Sequence, residues 1–306
     1  MSNIQFKGIM PALMTPLNED GSIRRQAVKP LTDFALDRGV DGFYVCGSSG
    51  EGPVLSPTSR MEMAECAIEA VKGRTTVSGK KPVIIVHVAS PDPLAAIELA
   101  RHAEKIGADA ISSLAPNFYF NYSEDELVAY YRRLAESTSL PLLVYATPML
   151  KVGDLKKFIA RLMEIDNVIG LKFTMPNYFQ MHRVKELNGG DINVINGPDE
   201  MLLCGLVMGA DGGIGTTYNV MPDKFSALYK AFTAGDIAEA QRIQYDINHV
   251  IDIILRFDPN NVMNSTKAVL NLMGFDVGRA VFPAREYTQA ELNALRDELA
   301  SVGFVV

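Results

Sequence analysis

Short apolar runs of strand length alternate with longer stretches of helical period through about the first 220 residues of the chain. The runs span Ile9 to Met14, Gly42 to Cys46, Val83 to Val88, Ala110 to Leu114, Leu142 to Tyr145, Val168 to Phe173, Ile192 to Ile195 and Gly212 to Ile214. Near-continuous apolar strands separated by amphipathic segments are what a parallel sheet with helical crossovers requires. Eight such strands predict a closed (β/α)8 TIM barrel.

Pro93 to Ile106 illustrates the helices. Leu94, Ile97, Leu99 and Ala100 alternate with Glu98, Arg101 and Glu104, and Asp92 is placed to cap the start. The segments Gly39-Val40-Asp41-Gly42, Gly107-Ala108-Asp109-Ala110 and Gly209-Ala210-Asp211-Gly212 form a weak internal repeat. Each sets a glycine where a helix ends and leads into the next apolar run.

After Tyr218 the pattern becomes helical alone: Pro222 to Thr233, Ile237 to Ile254, Ser265 to Leu272 and Thr288 to Ser301. The expected organisation is therefore a barrel over residues 1–220 and a C-terminal helical appendage over 221–306. With no Pro- or Ser-rich linker between them, the two are expected to pack as one structural unit. An open doubly wound sheet is the competing architecture, and no strand carries the G-x-G-x-x-G turn that would favour it.

Composition narrows the classes of function. The chain has 306 residues, is 48% hydrophobic and 21% charged, and carries a formal charge of -7. The acids and bases are interspersed, so there is no basic footprint for nucleic acid. Cys46, Cys66 and Cys204 are scattered, without C-x-x-C spacing, which argues against a disulfide framework or a cysteine zinc site and fits a cytoplasmic setting. The first residues lack a signal-peptide core, and no apolar run reaches the roughly 18 to 20 residues of a membrane span. His87, His102, His182 and His249 are isolated, so no metal site is expected, and His87 reads as a core residue of the third strand.

Lys172 follows Val168-Ile169-Gly170-Leu171 and precedes Phe173, at the carboxyl end of the sixth strand, where barrel active sites form. Apolar neighbours disfavour its charged form and leave a neutral amine able to attack a carbonyl. Taken singly, it can equally lay its stem along the strand and reach solvent. Tyr145 closes Leu142-Leu143-Val144-Tyr145 at the same rim, and its phenol can relay protons or simply fill a barrel layer. Gly47-Ser48-Ser49-Gly50-Glu51-Gly52 offers hydroxyls and backbone N–H groups for an anion such as a carboxylate, or a flexible turn. Asp199 and Glu200, after the seventh strand, can accept hydrogen bonds from a polyol or cap the next helix. The glycine-rich stretch from Gly212 to Asn219 suits close approach to a ligand or a tight eighth strand. Phe118-Tyr119-Phe120 lies at the rim after the fourth strand.

In this order, the motifs resemble those of the dihydrodipicolinate synthase and N-acetylneuraminate lyase superfamily, from Lys7-Gly8-Ile9-Met10-Pro11 through the C-terminal helices. Gly47-Ser48-Ser49-Gly50-Glu51 is similar to its carboxylate loop, Tyr145-Ala146-Thr147-Pro148 to its Y-x-x-P, and Leu171-Lys172-Phe173-Thr174 to its Schiff-base strand. The resemblance implies that Ser48 and Ser49 hold a 2-oxo acid carboxylate, that Lys172 condenses with its carbonyl, that Tyr145 relays protons and that Thr174 sits beside them. It further implies that Tyr119, or Tyr122, reaches into a neighbouring active site of a homotetramer.

The lyase branch is the nearer one. The synthases place an arginine after Y-x-x-P to hold a second carboxylate, whereas this chain has Met149-Leu150-Lys151, with Leu150 in place of the lyases' leucine. Gly197, Asp199, Glu200 and Thr216 resemble the lyase residues that hold a sugar-acid tail. Ala146 and Pro198 depart from that branch, which commonly carries Asn or His at the first position and an aromatic at the second. The resemblance thus implies reversible cleavage of N-acetylneuraminate to pyruvate and N-acetylmannosamine. Because the iminium is itself the electron sink, no metal or organic cofactor is called for. An aldolase for another 2-keto-3-deoxy sugar acid, a dihydrodipicolinate synthase and a silent sugar-acid binding protein are the alternatives.

Overall fold

The structure, a computed structural model, describes residues 5–306. Eight parallel strands alternate with helices: β1 (Gly8–Pro11), α1 (Val28–Leu36), β2 (Gly42–Val45), α2 (Pro57–Val71), β3 (Val83–His87), α3 (Pro93–Lys105), β4 (Ala110–Leu114) and α4 (Glu124–Ala135) come first. They are followed by β5 (Leu142–Ala146), α5 (Leu155–Leu162), β6 (Val168–Phe173), α6 (Tyr178–Lys185), β7 (Asn193–Asn196), α7 (Leu202–Val207) and β8 (Gly212–Gly215). Four helices end the chain: α8 (Pro222–Thr233), α9 (Ile237–Phe257), α10 (Val262–Leu272) and α11 (Gln289–Ser301).

The sheet runs in chain order from β2 to β8, and β1 pairs with β8. Beyond β1, a parallel bridge from Ala12 to Tyr44 and the Leu13 N–H donating to the Tyr44 carbonyl at 2.9 Å bring β1 onto β2 and complete the barrel. The apolar run expected to be a strand as far as Met14 thus divides. Its ladder stops at Pro11, and the residues after it make the seam.

Two apolar clusters follow from the strand alternation. Side chains pointing outward, among them Val144, Val168, Leu171 and Phe173, meet the helices in one large core. Those pointing inward, including Met10, Tyr44, Ile85, Leu143, Ile195 and Ile214, fill the barrel. Packed layers of this kind leave room for chemistry only at the rim.

On β6 the alternation is broken once. Leu142 is paired with Val168 but Leu143 with Gly170, so Ile169 is an extra residue in a β-bulge. Val168 and Leu171, three apart, therefore both face the helices, and Lys172 faces inward beside its register partner Tyr145. Without the bulge, strict alternation from Val168 would turn Lys172 toward the helices.

The internal repeat has a structural reason. Gly39, Gly107 and Gly209 all adopt left-handed backbone at helix ends. The aspartate two residues later then turns back to the preceding strand of the barrel. Asp41 Oδ2 accepts the Ile9 N–H at 2.9 Å, Asp109 Oδ2 that of Ile84 at 2.8 Å, and Asp211 Oδ2 that of Val194 at 2.9 Å. Each carboxylate satisfies a strand-end donor that the next strand leaves free.

Two of the C-terminal helices, α9 and α10, begin earlier or run longer than their apolar pattern indicates, whereas α8 has the expected bounds. α10 starts at Val262, because Asn261 caps it by accepting the Asn264 N–H at 3.1 Å, and α9 continues to Phe257. From α9, Gln244 accepts the Leu203 N–H at 3.0 Å and donates to the Asp199 carbonyl at 3.2 Å, fixing the turn after β7. No helix among the described residues is long and apolar enough to cross a membrane.

Candidate active site

Lys172 lies 3% exposed at the carboxyl end of the barrel, its Nζ 4.3 Å from the centre of the Tyr145 ring and 4.5 Å from that of Tyr44. The two rings stand edge to face, 6.1 Å apart. Tyr44 is itself fully buried and donates its hydroxyl to Ser112 at 3.0 Å, so it acts as a fixed floor. Its contact with Lys172 has no signal in the sequence, where an aromatic inside an apolar strand reads only as packing. Burial pushes the Tyr44 phenol well up, which leaves it protonated.

Tyr145 behaves differently. Burial acts to raise its phenol, but the Lys172 charge and the nearby polar side chains of Ser48, Thr174 and Lys172 outweigh it, and the phenol lies below its ordinary value. The site thus contains one tyrosine poised to give up a proton and one held neutral.

Thr174 follows β6, and its N–H donates to the Ala146 carbonyl at 2.8 Å. Its Oγ1 is buried without a hydrogen-bond partner, in position to meet a ligand. Gly197 makes this geometry possible, since a Cβ there would stand 1.8 Å from Thr174 Oγ1 and 2.9 Å from the Phe173 carbonyl oxygen. Across the rim, Ser49 and Thr216 share a hydrogen bond of 2.6 Å, while Ser48 is exposed on the same loop. Thr15 holds that loop from below, donating to the Gly50 carbonyl at 2.6 Å.

A cavity of ≈ 620 Å³ opens beside these groups. Thr174, Gly197, Asp199, Glu200 and Thr216 line its polar side, and Met175, Ile251, Ile254, Leu255 and Val262 form an apolar wall, largely from α9. Asp199 is buried and accepts the N–H groups of Thr216 at 3.2 Å and Thr217 at 2.6 Å, and the Thr217 hydroxyl at 2.5 Å. Burial, and then the nearby Glu200 charge, raise its carboxyl to about 6 against the pull of those donors. Asp199 therefore organises the glycine-rich β8 turn; a Cβ on Gly215 would collide with it at 2.0 Å.

Two expected residues lie apart from this group. Leu150 is buried in the core between barrel and helices and does not line the cavity; Pro148, two residues earlier, does. The turn made by the Leu150 N–H donating to the Thr147 carbonyl at 2.9 Å directs the leucine inward. Tyr119 is 88% exposed and stacks edge-on with Phe120, 5.0 Å away, so it contributes nothing to its own chain's site. Phe118 packs instead against the cluster of Ala89, Leu114 and Tyr145, and Tyr122 is half-buried against the helix-side core.

Beneath the site, His87 Nδ1 lies 3.1 Å from the Cys46 carbonyl, and burial, with the neighbouring Arg60 charge, holds the ring well below its usual value and neutral. Arg60 donates to the carbonyls of Ala89 and His87, both at 2.7 Å. Both residues support the inner ends of the β2 and β3 loops.

The parallel eight-stranded barrel thus holds a buried lysine over two tyrosines at its carboxyl rim, an arrangement suited to amine-based carbonyl chemistry. The chain belongs to the dihydrodipicolinate synthetase family, which matches residues 5–302. It is 40% identical over 299 residues to the N-acetylneuraminate lyase of Rhizobium meliloti (strain 1021), covering 98% of this chain and 96% of that one. Among solved structures, the Proteus mirabilis N-acetylneuraminate lyase superposes with a TM-score of 0.89 at 27% identity, covering 99% of this chain and 100% of the other. A catalytic lysine mutant of the Ruminococcus gnavus sialic acid aldolase also gives 0.89, at 29% identity over 97% and 96% of the two chains.

Proposed function

We propose that the protein is a Schiff-base aldolase that cleaves N-acetylneuraminate reversibly to pyruvate and N-acetylmannosamine. The observation that carries this reading is the buried Lys172 amine set directly against the Tyr145 phenol, which its surroundings make more acidic. Neutral Lys172 attacks C2 of the open-chain sugar acid, and loss of water gives an iminium. Tyr145, assisted by the substrate carboxylate, takes the C4 hydroxyl proton. The C3–C4 bond breaks, its electrons pass into the iminium to give the enamine, and N-acetylmannosamine leaves as the aldehyde. Protonation at C3 and hydrolysis then release pyruvate and regenerate the amine.

Ser48 and Ser49 hold the carboxylate, and Thr174, Gly197, Asp199, Glu200 and Thr216 receive the hydroxylated tail. The iminium accepts the electrons, so the reaction runs without metal or organic cofactor. The exposed Tyr119 and Phe120 pair supports assembly into a homotetramer in which a neighbouring chain covers that rim, and the unpaired Cys46, Cys66 and Cys204 support a reducing, cytoplasmic setting. Mass photometry should show a species of four chains that Tyr119→Ser shifts toward smaller ones; a monomeric wild type would refute this assembly.

The decisive experiment is intact-protein mass after treatment with pyruvate and borohydride, followed by peptide mapping. One reduced pyruvyl group on Lys172 is expected, and none in Lys172→Arg, whose cleavage activity should fall by about 10³-fold or more. Folded wild-type protein that gains no adduct would overturn the aldolase reading. Ala146 and Pro198 favour a second substrate, another 2-keto-3-deoxy sugar acid, and a panel of sugar acids ranked by kcat/KM decides between the two.

A further inference from the structure

The carboxylate loop is bracketed by two non-glycine residues in left-handed backbone, Cys46 at φ 58° and Glu51 at φ 57°. Such residues persist only where their surroundings hold them. At Glu51 the hold comes from the other end of the chain. Its Oε2 accepts the Val281 N–H at 2.6 Å, and its Oε1 lies 2.6 Å from Nζ of Lys267 in α10. Lys267 is 0% exposed and also donates to the Arg279 carbonyl at 3.0 Å. Asn264, one turn earlier, accepts the Ala280 N–H at 3.1 Å, so the strap over residues 279–281 is fixed to α10 on both sides.

A buried ammonium costs free energy that packing α10 does not require, and taking one partner from a buried pair leaves the other charge uncompensated. Lys267 adds nothing to the apolar packing of α10 that a methionine would not supply. The pair ties the loop after β2, which carries Ser48 and Ser49, to α10, beside the bond from the Val281 N–H to Glu51.

We propose that Glu51 and Lys267 are a positioning pair for the carboxylate loop, so that affinity for the 2-oxo acid is set from the C-terminal helices. The proposal rests on the aldolase reading above. Neither residue touches the substrate. Through Glu51 they fix the Gly47–Gly50 turn, and with it the two serines at the spacing a carboxylate needs.

The test is the rate of borohydride trapping on Lys172 against pyruvate concentration in wild type, Glu51→Gln, Lys267→Met and the double variant, with acetone as a carbonyl that lacks the carboxylate. Half-saturating pyruvate should rise about tenfold in all three variants, equivalent to about 1.4 kcal/mol. The maximal trapping rate and the response to acetone should stay near wild type. The double variant, which has no unpaired buried charge, should regain thermal stability relative to the single ones yet keep the raised pyruvate requirement. Where a single variant does not fold, the double variant alone carries the comparison. Wild-type half-saturation in the double variant, or equal losses with pyruvate and acetone, would overturn the proposal. Absence of trapping in the wild type itself would remove the aldolase reading on which it stands.

Discussion

Tyr145 and Asp199 are both buried at the rim, yet their environments move them in opposite chemical senses. Tyr145→Phe removes the proton relay and leaves the ring packing, so cleavage should fall about 10² to 10⁴-fold. Pyruvate trapping on Lys172 should survive, and loss of trapping in a folded variant would show that the phenol serves the amine rather than the C4 hydroxyl. Asp199 titrates at about 6 because burial penalises its charge. The folded state therefore binds this proton more readily than the unfolded chain, and the stability it gains by doing so is present below about pH 4 and lost as pH rises through about 6. Substrate recognition runs the other way, since an ionised acceptor binds hydroxyls better. KM for the sugar acid should rise as pH falls through about 6, and an inflection that persists in Asp199→Asn would assign the titration to another group. Lys172 and Tyr145 were legible as candidates because each interrupts or ends an apolar strand. Lys267 was not, because a lysine among Asn264, Ser265 and Thr266 reads as the solvated face of a helix, whereas all four are buried.

At the scale of elements, the eight apolar runs pointed to the barrel directly, since each is long enough for one strand and each is followed by a helical period. The β6 bulge left no comparable trace. Gly170 permits it, for a Cβ there would stand 1.8 Å from the Asn193 carbonyl oxygen, and that contact is made only once β7 is in place. Gly170→Ala should destabilise the protein by about 3 kcal/mol through overpacking and backbone displacement, read as a lower midpoint in chemical denaturation. The Gly-x-Asp repeats were visible as a pattern but their purpose was not, because the aspartates act on strand residues that precede them by 17 to 32 positions. Asp109→Ala leaves the Ile84 N–H without its acceptor in a buried strand, and a loss of about 1 to 3 kcal/mol is expected. A denaturation midpoint equal to wild type would mean that the β3 donor finds another partner.

Over the whole molecule, the boundary drawn at residue 220 marks where strands cease and helices alone continue, but it does not divide the site from its supports. α9 supplies the apolar wall of the cavity and secures the turn bearing Asp199, and α10 with the following strap reaches the loop after β2. Helical period alone shows that these segments form helices; it does not show which barrel end they close. The serines at 48 and 49 are synthesised well before the groups that fix Glu51 beside them, at 267 and 281, and the bond from Val281 to Glu51 spans 230 residues. The barrel strands can pair while the ribosome is still extending the chain, but the turn that receives the 2-oxo acid acquires its final shape only once the chain has grown past residue 281.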